Sequence, residues 1–272
     1  MPSISTNVAA NTALSFLARN YEDQADSIAR IASGKRIIKP SDDPAGLAVG
    51  TQLEADVAVL EQNALNSQQS QAVLGVADGG LASIGDILER QAVLAAQASS
   101  GTVDDNARIA INNEFQQLNA EIDSIRDSIT FNGSNLLDGS FNQDVLVGTQ
   151  GTDIIAADLS AIDVSTTALG TNGSSVGTNA DALAALDAVN NAINTLSSYR
   201  SNVGALQSRF GFRDQILASN IEQTKAVTSA ILDVNLAEEQ TKLTNSRVLT
   251  EASIAGLSQA NNLTRSLISV FQ

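Results

Sequence analysis

One heptad series constrains this chain more tightly than any other feature. Leu53, Leu60, Leu74, Leu81 and Leu88 occupy one heptad position, interrupted by Ser67 alone, with Val57 and Ala64 on the adjoining position. Residues seven apart return to the same face of an α-helix, so residues 44–98 are predicted to form one long helix with a coiled-coil type seam. At about 1.5 Å per residue such a helix spans roughly 80 Å, against a radius of gyration of about 18–19 Å for a compact globule of this length. The expected shape is a rod.

The same periodicity recurs elsewhere. Ile111, Leu118 and Ile125 share one position and Phe115, Ile122 and Ile129 another, while Val189, Leu196, Val203, Phe210, Leu217 and Ile231 form a six-heptad series broken only at Thr224. Both ends carry it too. Leu14, Tyr21 and Ile28 recur every seven residues with Leu17 and Ile31 beside them, and Ile254, Leu257, Ala260, Leu263, Leu267 and Val270 follow at spacings of three or four. Terminal helices that fray in water have no need of an apolar stripe. Leu14, Leu17, Tyr21, Ile28, Ile254, Leu257, Leu263, Leu267 and Val270 are therefore expected to be buried against each other or against further copies of the chain.

Between the helical stretches, SSGTVDD at 99–105 breaks the pattern and FNGSNLLDGSFNQ at 131–143 is rich in turn residues. DVLVG and TDIIAADL flank Gly148–Gly151 and are β-prone, so a small hairpin or two is expected there. STTALGTNGSSVGTN at 165–179 has almost no bulky apolar side chains and reads as a surface loop, tolerant of change and the natural place for modification. Helices, then a β-prone region, then helices define a mainly α fold. It is an elongated coiled-coil-like helical bundle with the N- and C-terminal halves paired antiparallel and a small β-hairpin region in the middle. The expected division is 1–40 and 233–272 as terminal helices, and 41–232 as a helical bundle with the hairpin and loop region at about 131–180.

Composition removes most chemistry. With no His and no Cys, the usual zinc, haem and thiolate sites are excluded, as is a Ser-His-Asp arrangement. A net charge of -15 argues against nucleic acid as a partner. Arg19, Arg30, Lys35, Arg36 and Lys39 nevertheless cluster, and read as a solvated face or an intermolecular salt-bridge patch. Neither an 18-residue uncharged apolar stretch nor a secretory signal pattern is present, so no membrane span and no cleaved leader are expected. Asp104-Asp105 and Glu238-Glu239 read as solvated or capping carboxylates, and Gly79-Gly80 as a packing concession or flexible point with no phosphate-loop Lys after it. No catalytic, cofactor or metal site is expected.

IARIASGKRIIKPSDDPAGLAVG, residues 28–50, interrupts the helical pattern with Gly34, Pro40, Pro44 and Gly46. It reads as a helix stop, an extended link and a new start, with Ser41, Asp42 or Asp43 as the cap and Pro44 in the first turn. This run resembles the signature of bacterial flagellins, with Pro44 where Ala is commoner. ISTNVAANTALSFL, LAAQASSGTVDDNARIAINNEFQQLNAEIDSIRDSITFNGSNLLDG, SYRSNVGALQSRF and SIAGLSQANNLTRSLISVFQ fall in the flagellin order, so the resemblance covers about three quarters of the chain.

The resemblance implies a short flagellin without large outer domains, a structural subunit that polymerises into the extracellular bacterial flagellar filament for swimming motility. It implies terminal helices lining the filament core, export in the unfolded state by the flagellar type III system, and an export chaperone. It also implies hook-associated junction and cap proteins, and other flagellins, as partners. The family's immune-receptor contact aligns with Arg90, Leu94 and Glu114, in an ERQAVLAAQ context that departs from the usual one. Two other readings stand beside this: a hook-filament junction protein of the same superfamily, and a carboxylate hydrolase, which requires a concave site with convergent Asp or Glu.

Overall fold

A computed structural model describes residues 7–270, apart from the side chains of 264 and 267–270. The chain is mainly α, as the heptads require. It runs α1 (Val8–Ser33), α2 (Pro44–Ala98), α3 (Asp105–Ser128), β1 (Thr130–Phe131), β2 (Ser134–Asn135), β3 (Asn142–Leu146), β4 (Ile154–Asp158), α4 (Asn179–Leu232) and α5 (Leu236–Val270). Two compact units result, Met1–Asp56 with Gln223–Gln272, and Val57–Glu222.

In the first unit the break after α1 is built by Gly34. Its φ of 72° is left-handed, and its N–H donates to the Arg30 carbonyl at 2.9 Å. Any other residue would be strained there. The chain then lies against the α4–α5 junction. Arg36 N–H donates to the Leu232 carbonyl at 2.6 Å, Val234 N–H to the Gly34 carbonyl at 3.0 Å, and Lys35 and Asp233 form an antiparallel bridge. Of the three candidate caps, Asp43 is the one used, its Oδ1 accepting the Gly46 N–H at 2.9 Å with Pro44 first in the helix. Asp42 instead accepts the N–H groups of Ile38 and Lys39 within the link.

The second unit is built from the α2, α3 and α4 segments. Arg90–Glu114 and Gln91–Asn119 join α2 to α3, while Gln71–Asp214 and Arg200–Asp78 join α2 to α4 in antiparallel order. The leucine series is core: Leu60, Leu74, Leu81 and Leu88 are buried, and so is Ser67, so the gap in the series is chemical, not geometric. The α4 series is buried from Val189 to Phe210 and Leu217. Gly80 lies under Ile129 and Leu137, where a Cβ would come within 3.0 Å of each, whereas Gly79 faces open space. The packing reading therefore applies to one glycine of the pair.

Both hairpins form. β1 pairs with β2 across the Asn132-Gly133 turn, and β3 pairs with β4 in the register Asn142↔Asp158 to Leu146↔Ile154. Residues 165–179 depart from expectation. They are not a solvated surface loop, since Leu169, Thr171 and Val176 are buried and hydrogen bonds tie the segment to α3. Thr166 N–H and Oγ1 both donate to Asp123, Asn112 Oδ1 accepts the Val176 N–H at 2.9 Å, and Asn119 and Gln116 donate to the Thr171 and Ser174 carbonyls. Two apolar anchors and a polar face of α3 suffice to dock a segment whose composition looks solvated.

Candidate interaction surface

The helices α1 and α5 run antiparallel, with backbones closer together than in other helix pairs of the described chain. Their residues explain the approach. The covered positions follow heptad spacing, Ala10, Ala13, Leu17, Asn20, Gln24, Ser27 and Ile31 on α1, and Glu239, Leu243, Ser246, Thr250, Ser253, Leu257 and Ala260 on α5. Small side chains allow the axes close, and polar ones cross-link them. Asn7 donates to the Ala260 carbonyl at 3.1 Å, Asn20 to Ser253 Oγ at 3.2 Å and Ser27 Oγ to Glu239 Oε1 at 2.9 Å. Such a seam buries little apolar area and is correspondingly weak.

The larger apolar side chains lie outside it. Leu14, Tyr21 and Ile28 are 51%, 52% and 46% exposed, and Leu236, Val248, Leu249, Ile254 and Leu263 on α5 are all exposed as well. Of the residues expected at an interface, Leu17 and Leu257 are half-buried in the seam within one chain, whereas Leu14, Tyr21, Ile28, Ile254 and Leu263 face solvent. The side chains of Leu267 and Val270 lie outside the described residues. Grouped exposed apolar side chains of this kind are the material from which protein–protein contacts are built.

Glu239 departs from its expected solvated or capping role. Its side chain is 4% exposed, 3.5 Å from Arg30 Nη1 and 3.4 Å from Lys242 Nζ, in a cleft also lined by Asp23 and Asp26. Burial pushes this carboxyl up, but the Ser27 hydroxyl, Lys242 and Arg30 outweigh it and hold it below the ordinary value of 4.5. A carboxylate depressed on folding stabilises the pairing at every pH above its unfolded value, and that contribution is lost as pH falls through the folded value. Amide protection in α1 and α5, corrected for intrinsic exchange, is expected to be level from pH 7 to about 5 and to fall below about 4.5. Glu239→Gln is expected to remove that step in hydrogen exchange; a step unchanged in the variant would assign it to other carboxylates.

Asp104, by contrast, caps α3 as read, accepting the Ala107 N–H at 2.7 Å. The basic cluster departs from the intermolecular reading at three of its five members, which pair within the chain as Arg30–Glu239, Lys35–Glu54 and Lys39–Asp26. Arg90 Nε and Nη2 both donate to Glu114 Oε1, at 2.9 and 2.6 Å, and this pair is exposed, while Leu94 is 1% exposed and packs in the core. A cleft of about 430 Å³ between α2 and the hairpins is lined by amides and two phenylalanines with one carboxylate, Asp144, so it holds no convergent carboxylate pair. Among the described residues no cluster could hold a metal ion and no helix is long and apolar enough to cross a membrane.

Comparison with known proteins gives this arrangement its context. The N-terminal helical region of bacterial flagellin matches residues 4–142, and the C-terminal helical region matches residues 186–271. The chain belongs to the flagellin family. It is 32% identical to the flagellin of Halalkalibacterium halodurans over 99% of both chains, and 32% identical to that of Listeria monocytogenes over 95% of both. The crystal structure of Bacillus cereus flagellin superposes with a TM-score of 0.50 at 27% identity, over 56% of this chain and 88% of that one. This flagellin is thus a structural subunit of the extracellular bacterial flagellar filament that polymerises with itself, and not an enzyme. The junction-protein reading is not favoured.

Proposed function

We propose that this flagellin assembles through the outer faces of α1 and α5, with Leu14, Tyr21, Ile28, Ile254 and Leu263 covered by neighbouring subunits. One observation carries the reading: the seam that closes within the chain is small and polar, while bulky apolar residues remain outside it. Leu17, Leu257, Leu267 and Val270 belong to the same assembly core, the first two by holding α1 against α5. In this scheme 1–40 and 233–272 form the inner core of the filament and 41–232 the layer around it. The weak intrachain seam makes the terminal helices depend on a neighbour for full order, so that folding and assembly are coupled. Contacts that do not close produce a filament, not a ring.

The same reading takes in the stages before and after assembly. The chain is exported unfolded by the flagellar type III system and is held by an export chaperone through its C-terminal helix. It meets hook-associated junction and cap proteins at the filament ends, and shares the filament with other flagellins. An immune-receptor contact on this chain uses the exposed Arg90–Glu114 pair, with Leu94 supporting it from the core. Negative-stain electron microscopy of the purified full-length chain, seeded with filament fragments, tests the central claim. Long filaments are expected; short rings, or no polymer under any seeding, would overturn it.

A further inference from the structure

The cleft of about 430 Å³ between α2 and the hairpins takes no part in the pairing of α1 with α5. Its size falls within the range of about 300–1,000 Å³ over which proteins hold small molecules. Three elements build it. Gln69 comes from α2, Phe131 and Asn132 from the β1–β2 hairpin, and Gln143 and Asp144 from β3, with Phe141 just before that strand. Asn132, with a φ of 50°, and Gly133, with a φ of 81°, make the two-residue turn that brings the Asn132 carboxamide to the cleft. Among the described residues, the side chains of Gln69, Asn132, Gln143 and Asp144 make no hydrogen bond or ion pair.

The backbone of β3 adds to this polar set. Val147 N–H donates to the Asp153 carbonyl at 2.8 Å and Leu159 N–H to the Phe141 carbonyl at 2.9 Å, so the odd-numbered residues of β3 are those bonded to β4. In an antiparallel pair the alternate residues turn their N–H and C=O groups the other way. Asp144 and Leu146 therefore present an unpaired strand edge, and both line the cleft.

Such a lining excludes most ligands. None of the described residues in it is basic, so phosphates and carboxylates meet no counter-charge there. One carboxylate does not hold a metal ion, and the polar groups are too many for a purely apolar molecule. An uncharged molecule with several hydroxyls and an apolar face fits on every count. Carboxamides both donate to and accept from hydroxyls, a carboxylate accepts from two at once, and an aromatic ring covers the C–H face of a sugar ring.

We propose that this cleft binds an uncharged N-acetylhexosamine unit of a glycan. Gln69, Gln143 and Asp144 take the hydroxyls, Phe131 lies against the ring, and the free edge of β3 pairs with the acetamido group. The site is independent of the filament reading above.

The probe is N,N′-diacetylchitobiose, titrated calorimetrically into the full-length monomer, with cellobiose as the matching disaccharide that lacks acetamido groups. Saturable one-to-one binding with a dissociation constant of about 1 mM or tighter is expected, and at least about tenfold weaker binding of cellobiose. In amide-resolved NMR the Asp144 and Leu146 signals should move with the same saturation. The double variant Gln143→Ala with Asp144→Ala alters two exposed side chains and is expected to weaken binding at least about tenfold with an unchanged circular-dichroism melt. Gln69→Ala, on α2 and so unable to disturb the hairpin, should weaken it about threefold or more. No saturable binding up to about 10 mM, or wild-type affinity in both variants, would overturn the site. Equal affinity for cellobiose would overturn the amino-sugar assignment.

Discussion

A Leu263→Asp chain is expected to melt like the wild type as a monomer and to lose filament elongation. Leu263 is 57% exposed on α5, so in the isolated chain the new carboxylate stays in water, and the change costs no more than about 0.5 kcal/mol. Once a neighbouring subunit covers that face, the same carboxylate is buried without a partner. The penalty is about 3 kcal/mol or more, which raises the critical concentration roughly a hundredfold. Leu257→Asp gives a different outcome. Leu257 is half-buried against α1, so its replacement also loosens the pairing of α1 with α5 in the monomer, and hydrogen exchange in those helices should rise. Light scattering during seeded growth, with circular dichroism of the monomer, separates the two. Normal growth of Leu263→Asp would remove the outer face of α5 from the assembly surface.

Phe115→Ala and Phe210→Ala are expected to destabilise the second unit by about 3–5 kcal/mol each. Both rings are fully buried, one on α3 and one on α4, within the cluster that holds Leu81, Ile84 and Leu88. Each truncation forfeits the transfer energy of an aromatic ring and leaves a cavity between helices that cannot fully collapse, because their backbones are hydrogen-bonded rods. For a unit of this size the melting temperature should fall by on the order of 10 °C. Val76→Ala, at a position 49% exposed on α2 within the same unit, should shift it by less than about 2 °C. Calorimetry checks both. A loss below about 1 kcal/mol at Phe115 and Phe210 would mean that the bundle is not packed as described.

The legible part of the fold is the part in which side-chain polarity and burial agree. Leu74, Leu81 and Leu88, and Val203 and Phe210, are apolar and buried, so the heptads of α2 and α4 could be read directly. The second covered row of α2 could not be. It runs Asn63, Ser70, Ala77, Ile84, Gln91 and Ala98, half of it polar, and looks like a solvated face. Asn63 is buried because its Nδ2 reaches the Gly148 carbonyl at 2.8 Å, and Gln91 because its Nε2 reaches Asn119 Oδ1 at 2.9 Å. Those partners lie 85 and 28 positions away along the chain.

The assembly surface shows the same division more sharply. Tyr21 and Ile28 were visible as a stripe, but their stripe is not the one that pairs α1 with α5. The pairing residues are Asn20, Ser27 and their partners, with Glu239 hidden among them, and no hydrophobic pattern registers a serine or a glutamate as covered. Residues 165–179 were misread for the same cause, because Leu169 and Val176 are too few to form a period while the polar groups of α3 that hold the segment are remote in sequence.

Helix positions, helix breaks and the stickiness of the ends were thus determined by the sequence itself, because periodicity, capping and turn chemistry act over a few residues. Which polar side chains are buried, and therefore which apolar ones remain exposed for a neighbour, was decided only by the tertiary structure. A polar group can be covered only where a specific donor or acceptor meets it, and it is the folded chain that brings such distant partners together.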